Sequence, residues 1–263
     1  MRVLSIAATG MAAQQTMVEV IANNIANANT TGFKRSRAEF SDILYQTEKS
    51  NSVPSVSGEN LIPEGAELGL GVKLNSIRSI NIQGTIVNTN NQLDLAVNGN
   101  GWFQVQGAGG QTAYTRDGTF NTDANGQVVT ADGLPLIPNI TVPPNTTKIT
   151  INKTGEIFAT VGNSTTDTSL GQIQLAQFVN PAGLHALGGN LFQVTDASGP
   201  ATLGNPGDPS YGTVEQGYLE QSNVDPVQEI TDLISAQRVY ELNSKVISAA
   251  DDMSSVVTKG MGR

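Results

Sequence analysis

The chain has 263 residues and a formal charge of −9, with only 14% of its residues charged and no cysteine. The acidic balance argues against a nucleic-acid partner, because phosphate binding rests on clustered Lys and Arg. The missing cysteine excludes disulfides, thiol nucleophiles and thiolate metal sites, and no run approaches the roughly 20 apolar residues of a membrane-spanning helix.

The first element is a helix. Arg2 followed by Val3-Leu4-Ser5-Ile6-Ala7-Ala8 imitates a secretory leader, yet the amphipathic pattern continues through it to about Ile25, which a removable leader has no reason to do. Leu4, Met11, Val18 and Ile25 recur every seven residues, with Ala7, Ile21 and Ala28 three places behind them. That is an a/d stripe on a helix with an almost uncharged polar face, and Thr31-Gly32 supplies its stop. The basic run Lys34-Arg35-Arg37, diluted by Glu39 and Asp42, reads as a solvated stretch.

From about Asn29 to Gly217 helical periodicity is absent. Residues 46–66 are polar and contain Pro54, Gly58, Pro63 and Gly65, so an extended connector is expected there. Strands are expected at Leu68–Leu74, Ile80–Ile82, Leu93–Val97, Trp102–Val105, Gln127–Thr130, Lys148–Ile151, Ile173–Phe178 and Leu191–Val194. Turn pairs punctuate them: Asn98-Gly99, Asn100-Gly101, Asp117-Gly118, Asn125-Gly126, Asp132-Gly133 and Gly188-Gly189. The Asn98–Gly101 run is read as a hairpin and Trp102 as a core anchor.

The last element is again a helix. Asp225 is a plausible N-cap with Pro226 at the first helical position. Val239, Leu242, Val246, Ala249, Met253 and Val256 then alternate steps of three and four, which is a coiled-coil seam. A second stripe, Leu233, Tyr240 and Ile247, lies on a neighbouring face. Two stripes call for neighbours on more than one side. The expected fold class is therefore a mainly β central domain with N- and C-terminal α-helices pairing in a coiled-coil-like layer. The expected domains are residues 1–30 with 225–263 as the helical part, 31–67 as connector, and 68–224 as the β-rich part.

Catalytic chemistry is thin. His185 is the single histidine and sits in a loop-like context, so triads and most metal sets lack members. Asp117, Asp123 and Asp132 each fall beside a Gly-containing turn, where Asp bonds the backbone. Asp123-Ala124-Asn125-Gly126 lacks the spacing and closing Glu of a calcium loop and is expected to form a hairpin turn. No catalytic residue, cofactor or metal is expected. The rival readings are a secreted hydrolase using paired Asp residues and an adhesin-type β protein.

Three blocks then carry a resemblance. Ala22-Asn23-Asn24-Ile25-Ala26-Asn27-Ala28-Asn29-Thr30-Thr31-Gly32-Phe33-Lys34 resembles the N-terminal signature of the flagellar rod and hook family. Asp94–Phe103 with Tyr114–Phe120 resembles its central motif, and Ser222-Asn223-Val224-Asp225 with Gln237–Glu241 its C-terminal one. Within the family, Ala12-Ala13-Gln14-Gln15, Leu44-Tyr45-Gln46 and the overall length are similar to distal-rod members, with proximal rod subunits as the alternative. Residues 46–66 lie where distal-rod members carry an extension that separates rod from hook.

The resemblance implies a structural subunit of a hollow helical homopolymer that carries torque from motor to hook. It implies export by the flagellar type III apparatus without a cleaved leader, and a place in the basal body between periplasm and outer membrane. The implied partners are proximal rod and hook proteins at the two ends and the surrounding peptidoglycan and outer-membrane ring proteins, without nucleic acid or membrane insertion. Subunit packing is expected of Leu4, Met11, Val18, Ile21, Ile25, Leu233, Val239, Tyr240, Leu242, Val246, Ile247, Met253 and Val256. The signature residues are Asn23, Asn24, Ala26, Asn27, Thr30, Gly32, Phe33 and Lys34.

Overall fold

A computed structural model describes residues 2–49, 66–162 and 167–261. Residues 50–65, the bulk of the expected 46–66 connector, lie outside the described residues. The chain divides into two compact units.

The first unit holds both helices, α1 (Arg2–Ala26) and α2 (Pro226–Met261), and strands β1 (Ser36–Asp42), β2 (Tyr45–Lys49), β3 (Ala66–Gly69) and β4 (Val72–Ser79). The helices pack against each other, as the two terminal stripes predict. They run antiparallel: Asn24 bonds Glu229, and Gly10 faces Asn243, so 14 residues separate the contacts on both helices. Ala7, Gly10 and Ala13 recur every three residues on the inner side of α1. Their small side chains let the helices approach closely; a Cβ on Gly10 would stand 3.0 Å from Asn243 Nδ2. Ile21 is buried at the other end, while Leu4, Met11, Val18 and Ile25 are half-buried.

Helix α2 turns an unexpected face inward. Glu229, Leu233, Ala236, Asn243, Ile247 and Ala250, spaced by threes, fours and sevens, are buried or half-buried, as is Asp232 beside Leu233. The more apolar seam through Val239, Leu242, Val246, Met253 and Val256 is exposed. Small Ala236 and polar Asn243 suit the narrow Ala7-Gly10-Ala13 side of α1, whereas the bulkier seam does not. At about 100° per residue the two stripes lie roughly a third of a turn apart on the helix.

The described residues between Ser36 and Arg78, which the sequence divides between a connector and the β-rich part, belong by their contacts to the same unit as the helices. They are not a plain connector, because β1 pairs with β4 and β2 pairs antiparallel with β3. The strand expected at Ile80–Ile82 does not form. The ladder ends at Ser79, and the backbone beyond it serves as acceptor for Lys34 and Asn223 instead.

The second unit is the β-rich one. Its strands are β5 (Ile86–Asn88), β6 (Leu95–Asn98), β7 (Trp102–Gln106), β8 (Thr112–Thr115), β9 (Phe120–Thr122), β10 (Val128–Thr130), β11 (Leu136–Ile137), β12 (Thr146–Ile151), β13 (Glu156–Val161), β14 (Asp167–Gln172), β15 (Leu175–Gln177), β16 (His185–Gly188), β17 (Leu191–Gln193), β18 (Thr202–Gly204), β19 (Thr213–Gln216) and β20 (Tyr218–Glu220). The largest sheet runs β16-β17-β8-β7-β15-β18, with β11 also on β7. Smaller ones are β12-β13-β14, β9-β10, β6-β19 and β5-β20.

Alternation sorts the large sheet's side chains between two cores. Phe103, Val105, Ala113 and Leu175 join Leu95, Phe120, Ile157 and Ile173 in the main cluster. Trp102, Tyr114 and Ala176, each one residue out of phase, join Phe178 on the other face. Trp102 anchors that second core, with Phe192 and Phe178 edge-on at 5.0 and 6.5 Å.

The Asn98–Gly101 run is not a hairpin. Strand β6 pairs with β19, whereas β7 pairs with β8, β15 and β11. A two-residue type I′ hairpin needs positive φ at both central residues. Here only the glycines have it, at +110° and +144°, and the chain crosses between sheets. Both glycines are required by close approach: a Cβ on Gly99 would stand 2.9 Å from Gly212 Cα, and one on Gly101 2.9 Å from Leu175 Cδ1.

Candidate functional site

Among the described residues no group of three or more His, Asp or Glu is placed to hold a metal. His185 is exposed on the edge strand β16. Asp123 forms the β9–β10 hairpin turn, its Oδ1 accepting from Asn125 N and Gln127 N at 2.8 Å each. These bonds hold its carboxyl below the ordinary range.

Asp117 behaves differently. Burial raises its carboxyl above the ordinary range, with Asp94 and Asp132 adding to the rise, against two bonds from Thr119 that lower it. Between about pH 3.9 and its raised pKa, the folded state holds more protons than the unfolded one. Its stabilising contribution is therefore present at low pH and lost as pH rises through that window. Asp117→Asn keeps an oxygen for Thr119 N and Oγ1 (3.0 and 2.8 Å) and removes the charge. The variant is expected to be at least as stable as the parent at pH 7, and its stability less sloped as pH rises above about 4. Urea unfolding across that range measures it; a loss of stability at pH 7 would contradict it.

The chemistry that does concentrate is a buried ion cluster in the second unit. Glu220, on β20, is fully buried, and its carboxylate receives Lys34 Nζ and Gly84 N on Oε1 and Arg116 Nη1 (3.2 Å) on Oε2. Two cations on one carboxylate leave an excess positive charge. Backbone carbonyls answer it: Ile82 O accepts Lys34 Nζ at 2.9 Å and Gly99 O accepts Arg116 Nη2 at 2.8 Å. Arg116 also lies over the Trp102 ring, 5.6 Å from its centroid. Burial pulls both cations below their usual pKa values, and Glu220 pulls them back up. Lys34 is thus no member of a solvated basic stretch. Arg37 alone of that run is exposed, paired with Glu39 at 2.9 Å.

This cluster is where the three motif blocks meet. Gly32 N donates to Glu220 O at 2.8 Å, and its φ of +69° places the missing Cβ 2.8 Å from Asp117 N. No larger residue fits there without moving the Arg116-Asp117 backbone. Thr30 caps the turn by donating to Asn27 Oδ1 at 3.2 Å, and Phe33 N closes it on Thr30 O at 3.3 Å. Asn223 Oδ1 accepts Arg35 N at 2.7 Å, while its Nδ2 donates to Ile80 O and Ile82 O.

Signature residue Asn24 works in the first unit. It exchanges two bonds with the Ser36 backbone at 2.8 and 2.9 Å and donates to Glu229 Oε2 at 3.1 Å. Asn23 and Ala26 are exposed. The signature is therefore a set of backbone clasps and buried polar anchors. Glu220 and Glu229, the two carboxylates that complete it, were not among the expected site residues.

Comparison with known proteins agrees with this reading. Residues 4–34 match the family described as flagella basal body rod protein, residues 96–159 the flagellar hook protein FlgE/F/G D1 domain, and residues 215–259 the flagellar basal body rod FlgEFG protein C-terminal region. The chain is 56% identical to the flagellar basal-body rod protein FlgG of Agrobacterium fabrum, over 99% of this chain and 100% of that one. It is 53% identical to the protein of the same name from Caulobacter vibrioides, covering 96% and 97%. It is 31% identical to the flagellar hook-basal body complex protein FlhP of Bacillus subtilis, over 98% of each. Near-complete coverage at such identity, on matches that include Asn24, Lys34, Arg116, Glu220 and Glu229, establishes that the chain belongs to the flagellar basal-body rod protein family.

Proposed function

We propose that the chain is a subunit of the distal rod of the flagellum, polymerising with copies of itself into a hollow helical shaft that transmits torque. The observation that supports this best is the exposed seam on α2. Leu242, Met253 and Val256 are 58%, 62% and 68% exposed, on a helix whose other stripe already packs against α1. Large aliphatic side chains held at heptad spacing in water are an interface awaiting a neighbour. Two unlike faces on one helix pair supply the head-to-tail contacts that an open helical assembly needs. The rest of the reading follows from family membership: export through the type III apparatus, proximal rod and hook proteins at the ends, ring proteins around the shaft, and no enzymatic role.

The test is Leu242→Asp or Val246→Asp. Each places a charge on the exposed seam without touching the α1-facing stripe. Polymer formation, read by sedimentation and electron microscopy of basal bodies, is expected to be lost. Circular dichroism and Trp102 fluorescence of the monomer are expected to be unchanged. Rods of normal number and length from either variant would refute the reading.

A further inference from the structure

Helix α2 is longer than its partner. The antiparallel register set by Asn24–Glu229 and Gly10–Asn243 brings Ala250 level with Val3. The helix nevertheless continues to Met261, about 16 Å further at 1.5 Å per residue. By this register Asp252, Met253 and Val256 lie past the level of Arg2, where the described part of α1 begins. The three share one face of this overhang, and all are exposed.

A second feature of the same unit is also exposed among the described residues. Among the described residues strand β4 (Val72–Ser79) pairs with β1 alone, and its six middle residues are exposed on both faces. A two-stranded ribbon with no cover is marginal in water. Leu74 and Ile77 are 43% and 53% exposed. The strand carries Lys73 and Arg78 and no acid, in a chain of net charge −9. By strand alternation Lys73 and Ile77 share one face.

The two features cannot meet within one copy. Strand β4 starts beside Thr9, whose Oγ1 accepts Val72 N at 3.3 Å. Ile43 N bonds Gly71 O and Ser36 is held by Asn24, so β4 runs along β1 from the level of Thr9 toward that of Asn24. The overhang leaves in the opposite direction, past Arg2.

We propose that the overhanging end of α2 docks on strand β4 of the next copy in the polymer, with Met253 and Val256 against Ile77 and Asp252 against Lys73. Acidic-apolar meets basic-apolar, and the contact is head-to-tail and non-closing. The proposal rests on the homopolymer reading above.

Because the chain contains no cysteine, a double variant gives a clean test. Ile77→Cys with Met253→Cys, oxidised in the assembled polymer, is expected to give a reductant-sensitive ladder of dimers, trimers and longer species. Either substitution alone is expected to give none. As an independent readout, Lys73→Glu and Asp252→Lys should each slow assembly at least about tenfold, and together restore it to within about twofold. A polymer that forms normally and yields neither ladder nor charge-swap rescue overturns the docking and leaves the homopolymer reading standing. If the unmodified chain forms no homopolymer, both fall.

Discussion

Replacing Glu220 with Gln is expected to lower the unfolding free energy by about 3–5 kcal/mol, the cost of breaking a buried ion pair by removing one partner. The substitution keeps the shape of the side chain. It turns one of the two acceptor oxygens into a donor, facing either Lys34 Nζ and Gly84 N or Arg116 Nη1. Two buried cations then share one neutral oxygen and the carbonyls of Ile82 and Gly99. Trp102 is the single tryptophan, buried under Arg116, so its fluorescence reports the cluster directly. For an m-value near 3 kcal/mol/M the urea midpoint should fall by roughly 1–2 M. A companion variant separates the cost of an unpaired charge from the worth of the pair. Replacing Glu220 with Leu, Lys34 with Met and Arg116 with Met together removes all three charges, and is expected to cost less than Glu220→Gln alone. A midpoint unchanged by Glu220→Gln, or a triple variant worse than the single one, would show that the cluster contributes nothing as a unit.

The contrast between Lys34 and Glu220 marks where the sequence stops being informative. Lys34 was visible as the end of a motif, yet its local company of Arg35, Arg37 and Glu39 suggests a solvated strip. Its burial comes from Glu220, 186 positions away. Glu220 itself sits in Tyr218-Leu219-Glu220-Gln221, with no local mark of importance. A buried carboxylate is recognisable only by its partners, and these lie 104, 136 and 186 positions off. Local signals did better where the physics is local. Both helices and the hairpin at Asp123–Gly126 depend on periodicity, caps and turn residues within a few positions. The hairpin expected at Asn98–Gly101 failed because the same Asn-Gly pairs also serve a crossover between sheets, and only the long-range partners of β6 and β7 decide which.

The helix stripes show a subtler version of the same limit. Apolar strength ranks the Val239–Val256 seam first, and hydrophobic burial alone would turn it inward. Within one copy, fit decides otherwise. The Ala7-Gly10-Ala13 side of α1 admits small and polar partners at close range, and Asn24 fixes the register through Glu229. The stronger stripe stays exposed, and on the homopolymer reading proposed above it is left for other copies. A sequence read as one chain has no term for surfaces held back for a neighbour.

Asn24→Asp tests that register lock, and it is expected to undo the helix pair while leaving the backbone almost isosteric. Asn24 is buried and uses both ends of its amide: Oδ1 accepts Ser36 N, while Nδ2 donates to Ser36 O and Glu229 Oε2. An oxygen in place of Nδ2 would face a carbonyl and a second carboxylate, both buried. Like charges at hydrogen-bond distance cannot both remain ionised, so the pair must take up a proton or separate. At pH 7 the loss should approach the 3–5 kcal/mol typical of an uncompensated buried charge, about a thousandfold in the docking equilibrium. Hydrogen exchange of the α1 and α2 amides is the measurement, since Trp102 lies in the other unit. Protection in residues 2–26 should collapse at pH 7 and recover in part at lower pH, where the two carboxylates can share a proton. Adding Glu229→Gln to Asn24→Asp should restore much of the protection at pH 7, because an amide donor again meets a carboxylate. Full protection of Asn24→Asp at pH 7 would mean that the helices are held by their apolar faces alone and that the signature asparagine serves something other than register.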